Sequence, residues 1–143
     1  MNKKIFEKEI RDKVAASFDR QTFMATLGAN IEEINWGAVR ISFGLDPSLL
    51  QQHGYLHAGV STAIVDSACG YAALTTAPLE SDVLTVEFKT SFLRPASGTK
   101  FEARGAVLKP GRRLVPCEGE VWEIEPEQKL IAKMSATMML QTG

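Results

Sequence analysis

The chain has 143 residues, 45% of them hydrophobic and 23% charged, with a formal net charge of −1. That length fits one domain with its own core, residues 1–143. Interspersed charges near balance exclude the electrostatic footprint that nucleic acid or an anionic membrane surface requires, so neither partner is expected.

The N-terminus MNKKIFEKEIRDKV is charged and amphipathic, unlike a secretory signal or a membrane-spanning helix, and a cytoplasmic location is expected. Residues 3–18 carry Ile5, Phe6, Ile10, Val14 and Phe18 at helical spacing, which predicts a helix lying on the core. Residues 21–27 either continue it or form a short second helix, and Gly28 ends this N-terminal helical segment, 1–28. Segments 29–36 and 38–45 alternate apolar and polar residues around Asn35-Trp36-Gly37, a hairpin signal. Residues 46–55 lack periodicity and form a loop.

A central helix follows over 59–76, stopped by Pro78 and made almost wholly of small and apolar residues. From residue 83 the period becomes two. Leu84, Val86, Phe88, Thr90 and Phe92 are expected on one buried face, with Thr85, Glu87, Lys89 and Ser91 on the other. Turns at 94–98, 109–112 and 125–127 then separate three more strands, read with the first as a four-strand meander.

This order describes an α+β domain in which one antiparallel sheet wraps a central apolar helix, the hotdog architecture. Such a sheet leaves an edge strand and an uncovered face, so at least a dimer is expected. Cys69 and Cys117 have no CxxC or histidine spacing, which argues against zinc and for reduced, buried thiols. No metal cluster, phosphate loop or dinucleotide fingerprint occurs in the sequence, and no cofactor is expected.

Within the central helix, Val60, Ala63, Ile64, Ala68 and Tyr71 form a stripe expected to pack on the sheet. Asp66 lies away from it with Thr62, Cys69, Gly70 and Ala73. Aspartate is a poor mid-helix residue, and an unpaired buried charge is costly, so the position demands donors or a function. A satisfied buried carboxylate, or one emerging at the solvent edge, is the plain alternative. Two turns earlier, His57-Ala58-Gly59 opens the helix, where free backbone N–H groups suit a developing oxyanion. Carboxylate and amide together are the minimum for acyl-group hydrolysis.

Gly54-x-x-His57-x-Gly59 followed by Asp66 resembles the HGG...D signature of hotdog-fold acyl-CoA thioesterases of the phenylacetate-pathway (PaaI-like) branch. Phe23-x-x-x-Leu27-Gly28, residues 86–95 and the Gly111-Arg112 turn are also similar to that family. The resemblance implies hydrolysis of an acyl-CoA by a homodimer or dimer of dimers with active sites shared between subunits, coenzyme A entering only as part of the substrate. It implies that Asp66 is the general base or nucleophile and that the amide of Ala58 or Gly59 is the oxyanion donor. Ala58 departs from the family's first glycine, and Gln51 stands where many members carry asparagine. Thr85 lies near a serine that some members use across the subunit interface. His57 is read as orienting the loop or capping the helix, and Lys109, Arg112 and Arg113 either bind coenzyme A phosphates or form a solvated turn. Ser61 and Ser67 read as ordinary helix residues. A hotdog hydratase or dehydratase, and a non-catalytic acyl-CoA binding module, are the rival readings.

Overall fold

Ile10, Val14 and Phe18 are all buried, so α1 (Lys3–Arg20) lays one stripe on the core and turns its charged face outward. The computed structural model describes residues 3–142, with side chains from Glu7; the expected core positions Ile5 and Phe6 lie outside the described side chains. Gln21 interrupts the helix with extended backbone and α2 (Thr22–Thr26) follows as a separate short helix. Gly28, at φ +69°, then reverses the chain in a conformation that a Cβ would strain.

β1 (Asn30–Asn35) and β2 (Ala38–Gly44) make the expected hairpin, with Gly37 at φ +73° in its turn. α3 (Ala58–Thr75) is the central helix, one residue earlier at each end than predicted. β3 (Ser81–Phe92), β4 (Lys100–Val107), β5 (Leu114–Glu125) and β6 (Lys129–Thr142) complete an antiparallel sheet in the order β1-β2-β4-β5-β6-β3.

The expected four-strand meander is therefore corrected. Only β4, β5 and β6 form one, and β3 sits at the sheet edge beside β6. Strand length explains the choice: β3 pairs with β6 from Ser81 opposite Thr142 to Phe92 opposite Ala132, a match that the 8-residue β4 cannot offer. Segment 93–99 then carries the chain across the sheet end to β4.

The alternation expected in β3 also fails, at Val86. Thr85 opposes Met138 but Glu87 opposes Thr137, so Val86 is the extra residue of a β-bulge. Opposed residues share a face, and Met138, Ala136, Met134 and Ala132 are buried. Thr85 consequently faces α3 together with Phe88, Thr90 and Phe92, while Leu84 points the other way. Nor is the strand covered within one protomer, since Phe88 and Phe92 remain 43% and 47% exposed and Leu84 and Val86 are exposed as well.

α3 fits under the sheet because glycines face it. A Cβ on Gly105 would lie 2.3 Å from the Ala68 carbonyl carbon, and one on Gly119 would lie 2.5 Å from Val65 Cγ2. Val65, Ala68 and Cys69 thus face β4 and β5, which corrects the placement of Cys69 beside Asp66. Tyr71, expected on the sheet side, instead meets the N-terminal helices: Gln21 Nε2 donates to its hydroxyl at 3.0 Å and Ser17 Oγ lies 3.2 Å away. With α1 and α2 on one side and the sheet on the other, α3 buries more than one stripe. Thr62, Ala63, Asp66 and Ser67 are left as a partly open strip. Cys69 and Cys117 are free and buried; burial raises both thiols, Cys117 to about 11. Substituting Gly105→Ala should therefore lower the urea midpoint by the equivalent of about 1–3 kcal/mol, because backbone would have to move. An unchanged midpoint would contradict this close packing.

Candidate active site

The N-terminus of α3 is arranged by one imidazole. His57 occupies the N-cap with extended backbone, and its Nδ1 accepts the Gly59 N–H at 2.7 Å. The Val60 N–H donates to the His57 carbonyl at 3.0 Å, and the His57 N–H is held by the Leu49 carbonyl at 2.9 Å. The ring folds back over the helix end because residue 59 is glycine: a Cβ there would lie 2.9 Å from Nδ1. Of the two amides predicted as oxyanion donors, Gly59 is thus already engaged. The Ala58 N–H has no hydrogen-bond partner among the described residues. No described non-glycine residue has positive φ, so the Cβ of Ala58 introduces no strain at this position.

This helix end opens on a cavity of about 360 Å³ whose walls include Leu56, Phe92, Leu93, Pro95 and Ile131. Gln51 and Tyr55 stand on the loop side of it. The Gln51 side-chain oxygen accepts from the backbone N–H groups of His53 and Tyr55, so that end of the amide closes the loop and its NH₂ end is left for a ligand. Ser61 also lines the cavity. The residue as a whole is 2% exposed, and its hydroxyl bonds no described residue and stays open to the cavity. An isolated serine in a helix carries no sequence signal; the available clue was its spacing of three from Ala58, which puts both on one face.

Asp66 is half-buried and lies farther along the same helix. Thr85 Oγ1 donates to its Oδ1 at 2.7 Å, a contact made within one chain and possible because the bulge at Val86 turns Thr85 inward. Burial pushes the Asp66 carboxyl above the usual carboxylate range, and the Thr85 hydrogen bond partly opposes this. Replacing Thr85 with valine should therefore move the acid limb of the activity–pH profile to higher pH. A limb that stays in place would show that the hydroxyl does not tune this carboxylate.

The predicted residues fall in three places within one protomer. Ala58 and Asp66 are eight positions apart, about 12 Å along the helix axis. Arg112 and Arg113 line a separate cavity with Asp82 and Gln141 at the Ser81 end of β3, and Lys109 is exposed in the same turn. The structure therefore joins Thr85 to Asp66, and Ala58 and Gln51 to one cavity, with His57 capping the helix beside it. It does not bring the arginine turn to either. Among the described residues no group of His, Cys, Asp and Glu is placed to hold a metal, and no helix is long and apolar enough to cross a membrane.

A helix-wrapped antiparallel sheet with a capped helix end, an unengaged amide and a desolvated carboxylate defines a hotdog thioester hydrolase. Residues 53–129 match the thioesterase superfamily, and the chain belongs to that family. A thioesterase family protein from Silicibacter pomeroyi is 46% identical, superimposes with a TM-score of 0.92, and the match covers 94% of this chain and 99% of that one. The PaaI protein of E. coli, from the phenylacetic acid degradation operon, shares the fold at a TM-score of 0.87 and 18% identity, covering 96% and 97% of the two chains. A medium/long-chain acyl-CoA thioesterase of Salmonella typhimurium is 22% identical over 133 residues, 82% of this chain and 84% of its own.

Proposed function

We propose that this enzyme hydrolyses acyl-CoA thioesters to the free acid and coenzyme A, in a cytoplasmic homodimer, alone or as a dimer of dimers, whose active sites are each built from two protomers. One observation carries the reading: the free amide and the desolvated carboxylate stand about 12 Å apart on one helix, too far to act on a single carbonyl. A donor must lie about 3 Å from the oxyanion and a base within reach of the attacking water, so the two groups serve different sites unless a second copy supplies the missing one. The exposed apolar residues of β3 support this arrangement. Leu84, Val86, Phe88 and Phe92 lie on an edge strand with no second neighbour among the described residues, a surface that antiparallel pairing with another copy would cover.

Two-fold pairing through β3 sets the Ser81 end of one protomer beside the Phe92 end of the other. The Arg112–Arg113 turn of one subunit then stands near the cavity at Ala58 of its neighbour, where guanidinium groups and Lys109 suit the phosphates of coenzyme A. In this reading Thr85 fixes Asp66 Oδ1 and leaves Oδ2 for water. Asp66 takes a proton as the water oxygen attacks the thioester carbon, and the Ala58 N–H receives the developing oxyanion. Collapse of the tetrahedral intermediate expels the coenzyme A sulfur, which regains the proton from Asp66.

A thiol-release screen over aromatic, medium-chain and long-chain acyl-CoAs tests the function. Turnover of at least one class is expected, and no release from any would overturn the reading.

A further inference from the structure

We infer that the Ser61 hydroxyl is a second hydrogen-bond donor to the acyl carbonyl oxygen, acting beside the Ala58 amide in the cavity at the N-terminus of α3. The inference rests on the thioester-hydrolysis reading of that site and assigns a further catalytic residue to it.

Among the buried hydroxyl residues of its helix, Ser61 is the exception. The hydroxyl of Thr75 donates to the Ala72 carbonyl and accepts the Gly37 N–H, each at 2.7 Å. Ser67 donates to Gln21 Oε1 at 3.2 Å, and the Tyr71 hydroxyl receives Gln21 Nε2 at 3.0 Å. Ser61 is nearly as buried as Thr75, yet its hydroxyl makes no such bond among the described residues and keeps access to the cavity. A helical serine ordinarily satisfies itself on the carbonyl four residues back. Here that carbonyl belongs to His57, which receives the Val60 N–H, and Ser61 does not turn to it.

A hydroxyl on a cavity wall with no protein partner is free to pair with whatever enters the cavity. Its direction fits that use. Cβ atoms lean toward the N-terminus of a helix, so the side chain at position 61 reaches back one turn toward the level of Ala58. Hydroxyl and amide thereby address the same end of a cavity whose apolar walls include Leu56, Phe92, Pro95, Ala96 and Ile131, with Gln51, Tyr55 and Arg94 also on its lining. A ligand that puts one oxygen between two donors and an apolar chain along those walls is an acyl group. Such a donor strengthens as the carbonyl oxygen becomes an alkoxide, so its contribution appears mainly in turnover.

The test compares wild type with Ser61→Ala and Ser61→Thr on octanoyl-CoA, together with calorimetric binding of the ketone analogue in which CH₂ replaces the thioester sulfur. Ser61→Ala is expected to lower kcat about tenfold or more with KM nearly unchanged, and Ser61→Thr, which keeps the hydroxyl in an open cavity, to stay within about threefold. The ketone should bind Ser61→Ala more weakly than wild type. If the alanine variant does not fold, Ser61→Cys, similar in volume with a weak donor, takes its place. Wild-type kcat in the alanine or cysteine variant would overturn the assignment. Should wild type release no thiol, the hydrolysis reading fails by itself and the ketone decides alone: equal affinities, or no binding to wild type, also overturn it.

Discussion

Asp66→Asn is expected to reduce acyl-CoA hydrolysis by about 10²–10⁴-fold while leaving the fold intact. Asparagine keeps the shape of the side chain and an oxygen for the Thr85 hydroxyl, and removes only the basicity. The accompanying change in stability has a definite sign. Burial raises the folded-state pKa of Asp66 above its unfolded value. Between the two values the folded chain keeps a proton that the unfolded chain has lost, so stability falls as pH rises through that window and stays lower above it. Near neutral pH the ionised carboxylate is therefore a destabilising group. The thermal midpoint of Asp66→Asn should equal or exceed that of wild type at pH 7, and the gap should close as pH drops below the unfolded value. An inactive variant with a much lower midpoint would mean that Asp66 holds the fold together rather than doing chemistry, and an active one that it is not the base.

Ala58→Pro isolates the other half of the site. Residue 58 is the first in α3, where proline's fixed φ suits the helix and its missing N–H breaks no hydrogen bond among the described residues. His57 has φ −60° and ψ 135°, the extended geometry that a following proline favours. The substitution thus deletes one N–H and little else. We expect a folded protein with an unaltered or slightly raised thermal midpoint and a loss of about 10²–10³-fold in kcat, the usual cost of removing an oxyanion donor. Retention of wild-type kcat would show that the donor lies elsewhere. The variant also separates Ala58 from Gly59, whose N–H is already held by His57 Nδ1.

Local features of this site were readable from the sequence. A charge in an otherwise apolar helix and a histidine and glycine at its start mark Asp66 and the Ala58–Gly59 turn by composition and spacing alone, and the hairpin at Gly37 announces itself through turn chemistry. What escaped depends on contacts between distant residues. The place of β3 follows from its length match with β6, which period-two alternation cannot express. The bulge at Val86 carries no glycine or proline, so strict alternation put Thr85 on the wrong face and hid its contact with Asp66. The choice between the Ala58 and Gly59 amides turned on the fold-back of one imidazole ring. Ser61 was invisible for a similar reason, since a helical serine becomes informative only when its hydroxyl is seen to open on a cavity without a partner.

Two inactive variants can test the shared site most directly. Asp66→Asn and Ala58→Pro are co-expressed in equal amounts and the mixed assemblies purified, so that subunits pair at random. If carboxylate and amide come from different protomers, a site is intact only when the first comes from the Ala58→Pro chain and the second from the Asp66→Asn chain. That happens for about one site in four, and about one quarter of wild-type thiol release is the predicted result. If both groups serve the same protomer, every site carries a lesion. Activity no higher than that of the two parent variants would contradict the account.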